Sequence, residues 1–124
     1  MVKNFLLVAL GGETGSMLRY GMSLLIQNRQ FPLSTFIINI IGSCIIGAVI
    51  AYGIKNEEFN INWKLFLATG ICGGFTTFSA FSIENLQLLQ SGKYLLTSFY
   101  ITASVFTGIA AAFLGFKLSQ TFLQ

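Results

Sequence analysis

The sequence predicts an all-α membrane protein, one domain over residues 1–124 with four membrane-spanning helices. Three observations predict it. Hydrophobic residues make up 54% of the chain and charged residues 9%, where soluble domains are about a quarter charged. Mean hydropathy is +0.75, and a chain of 124 residues has too little interior to hide that much apolar surface from water. Apolar stretches of the length a bilayer needs, about 20 residues of helix, recur four times with polar breaks between them.

The first span is expected at about 5–26 and ends at QNRQFP, where Pro32 is the only proline. A removable signal peptide fits this stretch less well, because no small-residue cleavage site follows it and Arg19 lies inside it. Gly11 and Gly15 are four apart, with Arg19 one turn further on the same face. Glu13 and Arg19 are on different faces, so they make a poor intrahelical pair. Arg19, in the outer third, is placed to anchor at the membrane surface. The second span, about 33–54, ends at KNEEFNIN. Asn39, Ser43, Gly47 and Ala51 repeat along it at a spacing of four. Asn39 reads either as an interhelical hydrogen bond or as a donor lining a path. The third span, about 63–89, ends at QSGK, and the fourth covers about 94–118 with Ser104, Gly108 and Ala112 in a row. Small residues at this spacing let helix backbones approach closely in lipid. Cys44 and Cys72 lie in spans without metal-site spacing and read as small buried residues.

Histidine is absent, which removes the commonest metal ligand and proton shuttle. The net charge of +3 flanks apolar spans and so reports orientation, not a nucleic-acid partner. With four spans both termini share one side, which carries Lys3, Lys55, Lys64 and Lys117. The other side carries Arg29 and Lys93, joined by Arg19 if its side chain reaches the surface. So weak a bias permits insertion in both orientations, and equally an ordinary single orientation with a modest preference; charge alone does not decide between them.

The third span holds GGFTTFSAF, Gly73 to Phe81. Gly73 and Gly74 together cost roughly 2 kcal/mol of helix propensity against two alanines, and they mark a helix break in mid-membrane. Non-helical backbone at that depth persists only where protein or a watery cavity satisfies it. Freed carbonyls suit a hard cation, while freed amides and hydroxyls suit an anion. Phe75, Phe78 and Phe81 form a stripe, and the edge of an aromatic ring is positive. Taken alone, the stripe reads as packing. Glu84 follows on the same face, where it can pair with a cation or accept from helix-end donors.

Three motifs resemble the fluoride channels of the CrcB/Fluc family: GGETGSMLRY (11–20), TFIINIIGSCIIG (35–47) and GICGGFTTFSAFSIE (70–84). The resemblance covers essentially the whole chain, and the third motif is the most specific. Ser16 departs from the usual alanine, and Ala80 stands where a hydroxyl residue is common. The resemblance implies an antiparallel, dual-topology homodimer in the plasma (inner) membrane, with two pores for passive fluoride export. It implies no enzymatic activity. It also implies a structural sodium ion held by the backbone carbonyls of Gly73 and Thr76 from both subunits. Asn39, Phe78, Phe81 and Ser79 correspond to the fluoride pathway, which Tyr100 is expected to join. Arg19 and Glu84 correspond to vestibule or structural positions. The alternative is a proton-coupled exporter of the small multidrug resistance type, working through Glu13.

Overall fold

The computed structural model describes residues 1–56, 59 and 61–123, and it is all-helical among those residues. Helix α1 is Val2–Leu25 and α2 is Leu33–Lys55. The third span opens as α3, Ile61–Lys64, continues without interruption through a π-helical segment, Leu65–Cys72, and closes as α4, Gly73–Phe75. Helix α5, Phe78–Gln90, follows after two extended residues, and α6 is Tyr94–Phe122. Glu57, Glu58 and Asn60 of the expected KNEEFNIN break lie outside the described residues.

Local chemistry explains where the helices stop. Between α1 and α2, Asn28 Oδ1 accepts the amides of Gln30 at 2.9 Å and Phe31 at 3.1 Å. This turn closed by a side chain competes with helix. After α5, Gly92 has φ 73°. The Lys93 amide donates to the Leu88 carbonyl and the Gly92 amide to the Leu89 carbonyl, at 2.9 and 3.0 Å. That pair of bonds is the Schellman ending, and its left-handed position favours glycine. The QSGK break therefore works as a tight reversal from α5 into α6.

Among the described residues, three stretches are long and apolar enough to cross a membrane: Leu33–Lys55, Ile61–Gln90 and Tyr94–Phe122. Helix α1 matches them in length with 24 residues, but Lys3, Glu13 and Arg19 dilute its apolar character. The helices pair as two units, α2 on α6 and α1 on the π segment and α4. Both contacts depend on missing side chains. A Cβ on Gly47 would strike the Ala112 carbonyl oxygen, and one on Gly115 would strike that of Cys44. On α1, a Cβ on Gly11 would lie 2.5 Å from the Phe66 carbonyl oxygen, and one on Gly15 would lie 2.8 Å from the Phe75 amide nitrogen. These obstacles are backbone and do not move aside. The small-residue spacing in α1 thus sets α1 directly against the stretch leading to Thr76.

Few side chains are fully enclosed, Tyr100 and Ile38 being the largest. Much of the apolar surface points outward, as at Leu95, Phe106 and Ile109. Apolar side chains facing out are what lipid, or a second protein surface in lipid, requires.

Candidate functional site

Helical geometry lapses at Thr76 (φ −78°, ψ 154°) and Thr77 (φ −150°, ψ 121°). These residues lie near the midpoint of the 30-residue stretch Ile61–Gln90. The lapse is displaced from the glycines that mark it in the sequence. Gly73 is helical, with φ −63° and ψ −37°. Gly74 serves another purpose, because a Cβ there would collide with the Gly12 carbonyl of α1.

Two amides that a continuous helix would use across this point have other partners. The Thr77 amide, the natural donor to Gly73, donates instead to Asn39 Oδ1 at 2.9 Å. The Ala80 amide, the natural donor to Thr76, goes to Thr77 Oγ1 at 3.1 Å, an N-cap for α5. The Thr76 amide and hydroxyl both donate to the Cys72 carbonyl, at 2.9 and 2.8 Å. The Gly74 carbonyl receives Arg19 Nε at 3.2 Å and the Ser16 hydroxyl at 3.5 Å. The Gly73 and Thr76 carbonyls have therefore lost their helical donors, at the C-terminal end of a helical run where the dipole is negative. Such oxygens fit a hard cation. One chain supplies two of them, fewer than a hard cation coordinates, so a full shell needs further oxygens.

Asn39 clamps the lapse from α2. Its Oδ1 accepts from the Thr77 amide, and its Nδ2 donates to the Thr77 carbonyl at 3.1 Å. A carboxamide has two N–H donors, so one remains for another acceptor. The two readings open at the sequence level, a structural bond and a donor on a path, are thus compatible in one side chain.

A groove of about 370 Å³ runs along this point between α2, the third span and α6. Asn39, Phe78 and Phe81 line it, as do Gly73 and Thr76. Ser104 of α6 also lines it, with a buried hydroxyl that has no partner among the described residues. Ser79 sits beside the groove, its hydroxyl 3.2 Å from that of Thr77.

The remaining expected residues are elsewhere. Tyr100 does not line this groove. It is fully buried, and its hydroxyl donates to Glu84 Oε2 at 2.7 Å. Thr35, buried near the start of α2, donates to Glu84 Oε1 at 2.5 Å. Glu84 therefore accepts from side-chain hydroxyls on two other helices, instead of from a cation or helix-end amides. The Phe81 ring joins the two polar clusters. Its centroid lies 5.0 Å from that of Tyr100 in an edge contact and 5.7 Å from that of Phe78. Arg19 turns inward to Gly74 and does not reach out as a surface anchor. Glu13 is exposed on α1 and is absent from the groove. Cys72 is buried as expected, while Cys44 is only half-buried, and both are free thiols.

Sequence reasoning passed over Thr35 and Thr77 as partners. Thr77 carried a usable signal, a hydroxyl residue directly before an apolar helical run. Thr35 carried none, because its partner lies 49 residues away.

Residues 6–116 match the family model described as "CrcB-like protein, Camphor Resistance (CrcB)". Among curated proteins, one from Azobacteroides pseudotrichonymphae is 44% identical over 98% of this chain and 100% of its own length. One from Gloeothece citriformis is 52% identical over 91% of this chain and 94% of its own, and one from Oceanobacillus iheyensis is 42% identical over 95% and 92%. All three relatives bear the name fluoride-specific ion channel FluC.

Proposed function

The chain belongs to the CrcB-like family of multi-pass integral membrane proteins, and from that premise we propose that it is a fluoride channel through which fluoride leaves the cytoplasm passively. The observation that carries this reading is the groove at the helix lapse, where Asn39 keeps a donor unspent beside Phe78 and Phe81. Fluoride is small and strongly hydrated, so its path must replace lost water with donors. An amide N–H, the hydroxyls of Ser79 and Ser104 and the positive edges of phenyl rings supply them. Passage through a pore breaks no covalent bond, so the protein is not an enzyme.

The finer reading is an antiparallel homodimer with two pores. Phe78 is 78% exposed in the single chain, and the groove is open on one side, as a surface completed by a second copy would be. The weak bias of flanking Lys and Arg, four against two, is compatible with insertion in both orientations. A sodium ion fits the Gly73 and Thr76 carbonyls of two subunits. When bound, it supplies positive charge that offsets the anion's loss of hydration.

Fluoride efflux from reconstituted liposomes, with and without an imposed proton gradient, tests the function. Efflux is expected without the gradient. Strict dependence on it would move the assignment to a proton-coupled exporter, and Glu13, away from the groove, would become its first candidate. No flux in either condition would overturn the channel reading.

Dual topology has its own test. Two lysines added between Lys55 and Asn62 are expected to fix one orientation and reduce flux. Co-expression with an oppositely biased copy is expected to restore it. If the opposite copy restores nothing, the assembly is parallel.

A further inference from the structure

We propose that Arg19 is a positioning residue for the cation site: by engaging the Gly74 carbonyl, it leaves the Gly73 and Thr76 carbonyls as the pair presented to a sodium ion. This rests on the sodium reading above and adds to it a determinant outside the ligand set.

Three successive carbonyls lie around the lapse, those of Cys72, Gly73 and Gly74. Each has a different fate. Cys72 is satisfied locally by the amide and hydroxyl of Thr76. Gly74 is taken by Arg19 from α1, 55 residues away in sequence. Gly73, between them, has lost its donor to Asn39. Left alone, the Gly74 carbonyl is another oxygen at the end of the same helical run, able to compete for the ion or to rejoin the Phe78 amide. Rejoining would draw the chain back toward continuous helix and close the lapse. A guanidinium prevents both. It stays charged at all relevant pH values, and its fork holds a fixed direction.

The fold makes this contact specific. Gly11, Gly15 and Arg19 lie on one face of α1. The two glycines bring that face within backbone contact of the π segment and α4, so Arg19 meets the carbonyl one turn beyond. Ser16 reaches the same oxygen at the limit of hydrogen-bond distance, 3.5 Å, which leaves Arg19 as the main partner.

The test is sodium titration of the purified protein, read as the salt concentration giving half-maximal thermal stabilisation, and repeated with lithium and potassium. Wild type is expected to respond selectively to sodium. If it does not respond, the sodium reading itself fails, and that result is separate from anything Arg19 does. Given a wild-type response, Arg19→Gln is expected to raise the half-saturating sodium concentration by about tenfold or more, the usual cost of losing a residue that orients metal ligands, and to blunt discrimination against potassium. A residue that merely supports the fold lowers stability equally in every salt and leaves both readings unchanged. Should Arg19→Gln fail to assemble, Arg19→Lys decides: it keeps the charge but loses the fork, and a several-fold weaker sodium response is expected. Wild-type half-saturation and ion preference in whichever variant assembles would overturn the proposal.

Discussion

Fluoride flux per folded, reconstituted protein is expected to fall by roughly tenfold to a hundredfold when Phe81 or Phe78 is replaced by isoleucine. The substitution keeps the side chain apolar and removes the ring edge. If each edge substitutes for one polar contact to a partly dehydrated anion, its loss raises the barrier by about 1–3 kcal/mol, and each 1.36 kcal/mol is about a factor of ten in rate. The two positions are not equivalent controls. Phe81 packs between Phe78 and the buried Tyr100, so its replacement also leaves a misfit costing about 1–3 kcal/mol of stability. Phe78 is 78% exposed within the chain, so Phe78→Ile separates conduction from packing more cleanly. Fluoride efflux normalised to the amount of folded, reconstituted protein is the measurement. Normal flux per folded protein in both variants would reduce the stripe to packing.

Glu84→Ala is expected to destabilise the protein by roughly 2–6 kcal/mol, the cost of orphaning two buried hydroxyl donors at about 1–3 kcal/mol each. The donors are Thr35 and Tyr100, at 2.5 and 2.7 Å, and both residues are buried. Glu84→Gln is expected to cost much less, since its carbonyl accepts from one hydroxyl while the other rotates to accept from the amide. Tyr100→Phe removes one donor and is expected to fall between them. Thermal or denaturant unfolding in detergent gives the order Ala, then Tyr100→Phe, then Gln. An alanine variant as stable as wild type would mean that water satisfies both hydroxyls and that the cluster adds no stability.

Three of the four expected spans were legible because apolar length decides what a bilayer accepts; α2 and α6 begin where expected, and α6 runs four residues past its expected end at 118. The Gly11–Gly15 face was legible as a close contact, though its partner was not. The site was read less evenly. Gly73 and Gly74 signalled weak helix, yet the chain departs from helix at Thr76 and Thr77. Propensity reports the cost of staying helical; it does not report which amides have a better offer. Asn39 and the Thr77 hydroxyl make those offers, and Asn39 comes from another helix. The inward turn of Arg19 was hidden for the same reason, because its partner is a carbonyl freed only by the tertiary structure. Glu84 announced its need for partners, but Thr35 and Tyr100 are ordinary residues until the helices assemble.

The lapse at Thr76 and Thr77 also bears on the order in which the chain is made. Its external partners, Ser16, Arg19 and Asn39, all lie in spans synthesised before the third. When the third span leaves the ribosome, the groups that pair with Gly74 and Thr77 have already been made. The Gly74 carbonyl and the Thr77 amide and carbonyl need never wait unpaired in lipid for a later helix, an exposure that would cost several kcal/mol per group. The Glu84 cluster is different, since Tyr100 arrives last. Biogenesis can thus complete the lapse from the N-terminal side while α6 is still being translated, and α6 then docks on α2 and closes the Glu84 cluster.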